Sequence, residues 1–223
     1  LLTDRYITDM VASTDAVYIG SKDGGVTRWL YDEDSDRYSQ TRYTRASGLH
    51  DNRIVAMSLD PQENLYVLTP TGLAMQVRAN QEWLTVDLDQ DAFEQCAGDD
   101  GYATALDLSV DPTNGSLYVA FERGIVARIG DAWQCWGIGQ GILPAPILHV
   151  AADRHQNVWV GTAIGLSIHR PGQGWTGFGA PDPLPGRSVH GSAESEQGMW
   201  VFTNEGVAHM NADGEKLSMP DDL

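Results

Sequence analysis

Basic residues are scarce in this sequence. Of its 223 residues, 14 are Lys or Arg and 31 are Asp or Glu, which gives a formal net charge of −17. A negative field of this size repels phosphate backbones and anionic lipid surfaces, so we expect no nucleic acid partner. Cations, basic partner proteins and neutral polar ligands remain compatible with it.

Long hydrophobic runs are missing as well. No segment approaches the roughly 18 consecutive apolar residues that span a bilayer, so direct membrane insertion is not expected. The chain does not open with a basic segment followed by an apolar stretch, as a secretory leader does. Because the first residue is Leu1 rather than Met, cytoplasmic and exported origins both stay open at this point.

The motifs of common enzyme classes are absent too. The sequence contains no G-x-S-x-G nucleophile elbow, no H-E-x-x-H zinc motif and no Walker phosphate loop. Its two cysteines, Cys96 and Cys135, show neither a C-x-x-C spacing nor a Cys/His metal-ligand pattern. No conventional motif therefore indicates an enzyme class.

What the sequence does contain is a short pattern that returns five times. Each copy centres on an aromatic residue in an apolar strand, and successive anchors are 48, 52, 41 and 41 residues apart. A repeat of roughly 40–50 residues built from short strands is typical of β-propeller blades. The anchors are Tyr18, Tyr66, Tyr118, Trp159 and Trp200.

Each repeat predicts one four-stranded antiparallel blade. A first strand with alternating polarity, such as Ile54–Leu59, is followed by a polar turn, the aromatic strand, a tight turn at glycine and two further strands. Such units cannot bury both faces alone, whereas stacking around an axis covers them. We therefore predict an all-β, single-domain β-propeller with five blades, at residues 1–45, 46–95, 96–140, 141–182 and 183–223.

The two ends of the chain are expected to complement each other. Residues 1–12 can form the innermost strand of the first blade, and residues 215–223 the outermost strand of the last blade. This favours five blades that close into a ring, and a portion of a larger ring is the alternative.

Two segments, Gly48–Ala74 and Gly141–Ser167, resemble the two-component regulator propeller repeat. The core of that repeat reads Gly-Asn-x-Trp-x-Gly-Thr-x-x-Gly-Leu. In that family, such propellers usually form the extracytoplasmic sensor part of membrane receptors and bind saccharides or other small molecules. The resemblance implies a periplasmic or secreted propeller that senses a ligand. The fourth repeat matches the core at Asn157, Trp159, Gly161, Thr162, Gly165 and Leu166.

The two cysteines leave two alternatives open. Cys96 lies in a Gly/Asp-rich insertion before the third repeat, and Cys135 lies on the predicted outer strand of that repeat. Both could therefore lie near the same end of one blade, either as a disulfide or as two thiols. A disulfide would indicate an oxidising compartment.

A polar column runs through the predicted innermost strands. When the strands are aligned on their closing residue, the position four residues earlier is polar in four repeats, with mostly apolar columns on both sides. Because innermost strands line the axis of a propeller, these side chains should surround the central channel. The column is Asp9, Ala56, Asp107, His149 and His190.

This column suggests three kinds of site. The group formed by Asp9, Asp107, His149 and His190 could hold a divalent metal, either calcium or a transition metal. The same residues could serve as general acid and base in a hydrolase or lyase. A water-filled channel with polar walls needs neither activity, and no cofactor is certain.

Loops leading into the innermost strands form a second candidate site at the channel mouth. Aromatic faces together with Arg and Asp suit stacking on and hydrogen bonding to a sugar or another polar ligand. Ordinary loop chemistry is the alternative, and Arg5 and Tyr6 hold the corresponding place in the first repeat. With the axial histidines, the candidate ligand-binding residues are His50, Asp51, Arg53, Tyr102, His149, Arg187 and His190.

Two further groups of residues have structural interpretations. The tryptophans suggest a carbohydrate platform, but their fixed place in the repeat favours packing between blades. Two acidic runs could ligate calcium, yet both lack the spacing of an EF-hand loop and are expected to be solvated. The runs are Asp32, Asp34 and Asp36, and then Asp87, Asp89, Asp91 and Glu94.

The combined features predict a non-catalytic ligand-binding or sensing propeller. It would hold a small polar ligand, such as a saccharide, or a partner protein at the mouth of its central channel. The alternatives are a hydrolase or lyase that uses the axial residues, and a docking platform whose acidic loops meet a basic partner.

Overall fold

Each of the five repeats folds into one antiparallel sheet, and together they form a five-bladed β-propeller. The computed structural model describes residues 6–32 and 36–217, without the side chains of Asp99 and Asp100. No helix in this part of the chain is long and apolar enough to cross a membrane.

The strands follow the chain from the innermost to the outermost position in every blade. Blade 1 contains β1 (Ile7–Ala12), β2 (Ala16–Ser21), β3 (Gly25–Asp32) and β4 (Arg37–Tyr43). Blade 2 contains β5 (Ala56–Leu59), β6 (Leu65–Thr69), β7 (Gly72–Gln76) and β8 (Trp83–Thr85). Blade 3 contains β9 (Ala105–Val110), β10 (Leu117–Phe121), β11 (Gly124–Ile129) and β12 (Ala132–Gly137). Blade 4 contains β13 (Ile147–Ala152), β14 (Val158–Thr162), β15 (Gly165–Arg170) and β16 (Gly174–Phe178). Blade 5 contains β17 (Val189–Glu194), β18 (Met199–Thr203) and β19 (Gly206–Met210).

The polar turn after each innermost strand is organised by the closing residue. In blade 4, the carboxylate of Asp153 is 5% exposed and accepts hydrogen bonds from the backbone N–H groups of His155 and Asn157. It also accepts from the Asn157 amide and from the Trp159 indole, each at 2.8 Å. These four donors satisfy the buried carboxylate, so Asp153 is a structural residue.

In blades 1 and 4, glycine is required at the tight turn between the second and third strands because the outermost strand comes very close. In blade 4, an added Cβ on Gly165 would lie 2.2 Å from the carbonyl oxygen of Phe178. In blade 1, Gly25 has a φ of +77° and the same crowding against Tyr43. Close approach of the backbone thus adds to the conformational freedom that the turn demands.

Four hydrophobic clusters fill the four seams between successive blades, a seam being the interface between neighbouring sheets. Each seam contains one buried aromatic anchor contributed by the preceding blade. The first four anchors of the repeat therefore pack between blades, as was predicted for Trp159. In order along the chain, they are Tyr18, Tyr66, Tyr118 and Trp159.

The first and fifth blades do not pack against each other in the same way. Met10 on β1 is 62% exposed, whereas its equivalents Met57, Leu108 and Val150 are 2–4% exposed. Phe202 on β18 is 41% exposed. Innermost strands contact their neighbours from β1 round to β17, but among the described residues no contact of comparable extent joins β17 to β1. The expected closure of the ring is thus not accompanied by a packed fifth seam.

Within the described residues, the predicted outermost strand of blade 5 is represented by a short segment. Met210 bridges Lys216, and the Leu217 N–H donates to the His209 carbonyl. The remainder of the prediction, residues 218–223, lies outside the described residues. Among the described residues, blade 5 is a three-stranded sheet, and the other four blades have four strands each.

The second acidic run begins a helix rather than lying wholly in a loop, while its acidic side chains are exposed as predicted. Helix α1 (Gln90–Ala97) starts at Asp89, whose side chain caps it by accepting from the Ala92 N–H at 3.0 Å. The run therefore supplies a capping residue and acidic groups at a helix start, where they are favourable. In the first run, Asp36 accepts from the Tyr31 hydroxyl, while Asp34 lies outside the described residues.

The two cysteines form a disulfide. Cys96 of α1 is fully buried and is bonded to Cys135 of β12, with their Cα atoms 5.6 Å apart. The bridge fastens α1 against blade 3 and leaves no free cysteine. Of the two alternatives left by the sequence, the disulfide is the one observed.

Candidate functional site

The register of the innermost strands decides which side chains meet at the axis. The residue that closes these strands donates its backbone N–H across the following turn, as Asp60 and Asp153 do. In blade 5 the residue that does so is Ser195, not Glu194. The alignment of the fifth repeat was therefore off by one residue, and the axial column reads Asp9, Ala56, Asp107, His149 and Gly191.

His190 consequently leaves the axial column. It falls at a β-bulge that interrupts the pairing of β17 with β18, the place occupied by Thr8 in blade 1 and Leu106 in blade 3. Its side chain is exposed. A bulge turns the extra residue away from the regular alternation of the strand.

Three residues from consecutive blades form a hydrogen-bonded chain near the axis. Asp107 Oδ2 lies 2.6 Å from His149 Nδ1, and His149 Nε2 lies 2.8 Å from Ser192 Oγ. Asp107 is held in place because it also accepts from the N–H groups of Leu108 and Val150. We call Asp107, His149 and Ser192 the axial triad.

Ser192 was missed by the sequence reasoning. In the correct register it occupies a position that is apolar in every other blade. With the fifth repeat shifted by one residue, its hydroxyl would have stood out as the exception. The apolar residues at that position are Met10, Met57, Leu108 and Val150.

The axial aspartates also join neighbouring blades. Asp9 Oδ2 accepts from the Met57 N–H at 2.5 Å, and Asp107 Oδ2 accepts from the Val150 N–H at 2.9 Å. Ser58 and Ser109 act in the same way, accepting from backbone N–H groups of the following blade at 2.9–3.0 Å. We call these contacts seam hydrogen bonds. Each runs from a side chain of one innermost strand to the backbone of the next.

Electrostatics links Asp9 to the axial triad. Burial raises the pKa of Asp9, and hydrogen bonds from Met57 and Met10 oppose that shift. The negative charge of Asp107 raises the pKa further, and His149 lowers it. Asp9, Asp107 and His149 therefore share one electrostatic environment.

The metal alternative finds no geometric support. Over residues 6–32 and 36–217, no group of three or more His, Cys, Asp or Glu side chains is arranged to hold a metal ion. The oxygen atoms of Asp9 and Asp107 are already engaged by backbone N–H groups. The predicted set of Asp9, Asp107, His149 and His190 is thus not assembled as a metal centre.

A pocket opens at the end of the channel where the chain enters the innermost strands. It has a cavity volume of about 380 Å³ and is bounded by the starts of β1, β5 and β9 and by the β2–β3 hairpin. Its cationic groups are Arg53 and Lys22, and Lys22 Nζ lies 5.7 Å from the Tyr6 ring centroid. We call it the mouth pocket. Its lining residues are Thr8, Lys22, Arg53, Ile54, Val55, Ala105 and Leu106.

Three other residues of the predicted rim pack against or hydrogen-bond to neighbouring parts of the protein. His50 packs its ring against the hairpin at Gly72. Asp51 accepts from the Arg53 N–H and shapes the loop. Tyr102 packs on Phe93 at 4.8 Å, and burial raises the pKa of Tyr102 to about 12.

The remaining cationic residues of the predicted rim are Arg187 and Arg5. Arg187 is exposed in the loop that leads into β17. Arg5 lies outside the described residues. Of the predicted rim residues that the structure describes, Arg53 is the one that lines the mouth pocket.

The tryptophans do not form an exposed platform. Trp159 is 1% exposed, and Trp136 and Trp175 meet edge to face at 5.3 Å in the seam between blades 3 and 4. Trp200 stacks on His209 at 4.1 Å and is partly buried. Packing explains their place in the repeat, as the sequence indicated.

No protein-family model and no curated protein matches the sequence. Solved structures share the fold. One is the extracellular domain of the hybrid two component system BT3049 from B. thetaiotaomicron, with a TM-score of 0.70 and 15% identity over 90% of this chain and 27% of that chain. Another is PorZ, a bacterial surface component of the type-IX secretion system of Porphyromonas gingivalis, with a TM-score of 0.63 and 11% identity over 100% of this chain and 27% of that chain. A third is virginiamycin B lyase from Staphylococcus aureus, with a TM-score of 0.60 and 9% identity over 99% of this chain and 86% of that chain.

These likenesses concern the fold alone because the identities are low. The chain spans about a quarter of the length of the first two structures, at 27% of each. It is structurally similar to extracellular domains of two-component systems and to a surface component, and the same fold occurs in a lyase. Propellers therefore support both binding and catalysis, and the choice depends on the site.

Proposed function

We propose that this chain is a ligand-sensing propeller that acts outside the cytoplasm. It belongs by resemblance with the sensor propellers of two-component regulators, and it binds a small polar ligand, such as a saccharide, in the mouth pocket. The observation that carries the proposal is the position of that pocket, where the starts of three successive innermost strands converge.

The charges of the mouth pocket support a polar ligand that carries acidic or hydroxyl groups. The chain has a net charge of −17, yet Lys22 and Arg53 both line this pocket. Among the described residues, neither forms an ion pair with an acidic side chain. Two cations beside the apolar walls of Ile54 and Val55 suit a ligand with carboxylate or hydroxyl groups and one apolar face, as in an acidic sugar.

An extracytoplasmic location is supported by two independent features. The disulfide between Cys96 and Cys135 is of a kind that persists in oxidising compartments. The similar structures include an extracellular domain and a bacterial surface component. A sensor propeller outside the cytoplasm agrees with both.

Calorimetric titration with neutral and uronic-acid oligosaccharides tests the proposal. Arg53→Ala and Lys22→Ala each remove a charge-assisted hydrogen bond worth about 1.5–3 kcal/mol, so each should weaken binding roughly tenfold or more. Arg154→Ala is the matched control, because Arg154 pairs with Glu194 at the opposite end of the innermost strands.

The control variant should bind as the wild type does. Binding that is equally weakened by Arg154→Ala, or that survives the loss of both Lys22 and Arg53, would show that the ligand does not occupy the mouth pocket. Titration with a basic protein would then examine the docking-platform alternative, for which loss of binding at high salt is expected.

A further inference from the structure

We propose that the axial triad is a nucleophilic centre that hydrolyses esters of short acyl groups, with Ser192 as the nucleophile and His149 as its base. This activity goes beyond ligand sensing at the mouth pocket. The observation that carries it is the chain of contacts from Asp107 Oδ2 to His149 Nδ1 at 2.6 Å and from His149 Nε2 to Ser192 Oγ at 2.8 Å.

The hydrogen bonds of Asp107 fix the tautomer of His149. Asp107 Oδ2 already accepts from the Val150 N–H, and Asp107 Oδ1 accepts from the Leu108 N–H, so the carboxylate is an acceptor throughout. His149 Nδ1 therefore carries the hydrogen that it shares with Asp107. His149 Nε2 is left with a lone pair aimed at the Ser192 hydroxyl, which is the arrangement a general base needs.

The surroundings of Ser192 differ from those of its equivalents in a way that provides space. The neighbouring axial position is Gly191, where other blades carry the side chains of Asp9, Asp107 and His149. An added Cβ on Gly191 would find only Phe202 within 4 Å, at 3.4 Å. Gly191 leaves its own face of β17 uncrowded. On the opposite face, Ser192 is smaller than its equivalents Met10, Met57, Leu108 and Val150, and the difference leaves room for a short acyl group.

A backbone donor lies beside the nucleophile. At this register the N–H of Met57 and the N–H of Val150 point across the seam, where they donate to aspartates of the preceding blade. The Ser192 N–H has the same register and points the same way. It can donate to the oxyanion that forms when Ser192 Oγ attacks a carbonyl carbon.

The reaction has two balanced steps. In the first, the Ser192 hydroxyl proton moves to His149 Nε2, Oγ bonds to the ester carbonyl carbon, and the carbon–alkoxide bond breaks as His149 returns the proton to the leaving alcohol. In the second, His149 takes a proton from water, the hydroxide displaces Ser192 Oγ, and the proton restores the serine. The sum is ester and water to carboxylic acid and alcohol. Ser192 and His149 are the catalytic residues, and Asp107 is a positioning residue.

The experiment combines covalent labelling with turnover. The full chain is incubated with a fluorophosphonate probe, the adduct is located by mass spectrometry, and hydrolysis of p-nitrophenyl acetate is followed in parallel. We expect an adduct on Ser192, and we expect Ser192→Ala and His149→Ala to lower kcat by about a hundredfold or more. Ser109→Ala is the matched control, since Ser109 is an inner-strand serine whose hydroxyl accepts a seam hydrogen bond from the Ala152 N–H.

The test of Asp107 needs a readout that a structural role would not change. Asp107→Asn should lower kcat while KM stays within about threefold, because the variant still fills the same space but loses the orientation of His149. A folding check by circular dichroism accompanies each variant. An adduct on any residue other than Ser192, no adduct on the folded wild type, or equal turnover by wild type and Ser192→Ala would overturn the proposal.

Discussion

Removing the disulfide should lower the stability of the propeller by an amount that can be worked out from the chain. Cys96 and Cys135 are 39 residues apart in sequence, and the bridge restricts the unfolded chain over that span. Loop-closure entropy for a span of this length corresponds to about 4 kcal/mol at 25 °C. With a urea dependence of about 3 kcal/mol per molar for a domain of this size, the unfolding midpoint should fall by about 1.3 M.

The assay is equilibrium unfolding in urea, followed by tryptophan fluorescence, of the wild type and the double variant Cys96→Ala/Cys135→Ala. Reduced wild type, unfolded and refolded in dithiothreitol, separates two contributions. It lacks the cross-link but keeps both sulfur atoms in the core beside α1. We expect its midpoint to lie within about 0.4 M of the double variant, since truncating two thiols costs about 1 kcal/mol.

Two results would refute this reasoning. If oxidised and reduced wild type unfold at the same urea concentration, the cross-link contributes nothing to stability. If the double variant loses stability while the reduced wild type does not, packing of the sulfur atoms rather than the cross-link is responsible.

Three further predictions concern the blades. Gly161→Ala should lower the free energy of unfolding, measured by thermal denaturation, by about 1–3 kcal/mol, because the new Cβ would lie 2.5 Å from the carbonyl oxygen of Val189 in blade 5. At the control position, the new Cβ of Gly179→Ala would have no contact nearer than 4.0 Å, so this variant should be as stable as the wild type. Asp153→Ala should lower the free energy of unfolding, measured by chemical denaturation, by about 3–5 kcal/mol because it leaves four donors unpaired. Asp60→Ala leaves three donors unpaired and should lower it by less. Equal decreases for the two variants would contradict this account. Burial raises the pKa of Asp9 above 3.8, so the folded protein holds that proton more tightly than the unfolded chain does. The stability of the wild type relative to Asp9→Asn should therefore fall as the pH rises through the raised pKa, and a difference that is constant between about pH 3 and pH 7 would argue against the shift.

The blades could be predicted from the sequence because several features of each repeat indicate the same structure. Alternating strands, turn residues and an anchor such as Tyr66 recur together, and each has a local physical cause. The helix α1 was missed since its eight residues lie in a short acidic insertion, where Asp89 acts as a cap only once the helix packs on blade 3.

The candidate site was only partly predictable. Asp107 and His149 were placed at the axis by alternation, which is a local property of a strand. His190 was placed wrongly because Glu194 and Ser195 are both polar, so either could close the strand. The backbone hydrogen bond that makes Ser195 the closing residue cannot be read from the amino-acid sequence. An error of one residue exchanges the two faces of a strand, so Ser192 was hidden by the same slip.

The exposure of the seam between blades 5 and 1 could not be predicted from the repeats. Its faces carry the same kinds of residue as the packed seams, including Met10 and Phe202. Whether these two faces meet depends on the total rotation around the propeller axis, to which the angle between each pair of neighbouring sheets contributes. A repeat pattern describes a single blade and carries no information on that total.

The seam hydrogen bonds have a direction, and this bears on how the propeller is built during synthesis. The acceptors Asp9, Ser58, Asp107 and Ser109 all lie on the earlier strand, and the donors are backbone groups of the later one. A folded blade therefore presents side-chain hydrogen-bond acceptors on its innermost strand to the segment that is synthesised next. Backbone N–H groups are available in almost any sequence, so each new strand can be aligned by its predecessor before its own side chains have packed. The direction of these bonds thus suits assembly from the amino terminus, with each of the first three blades offering acceptors that align the next one.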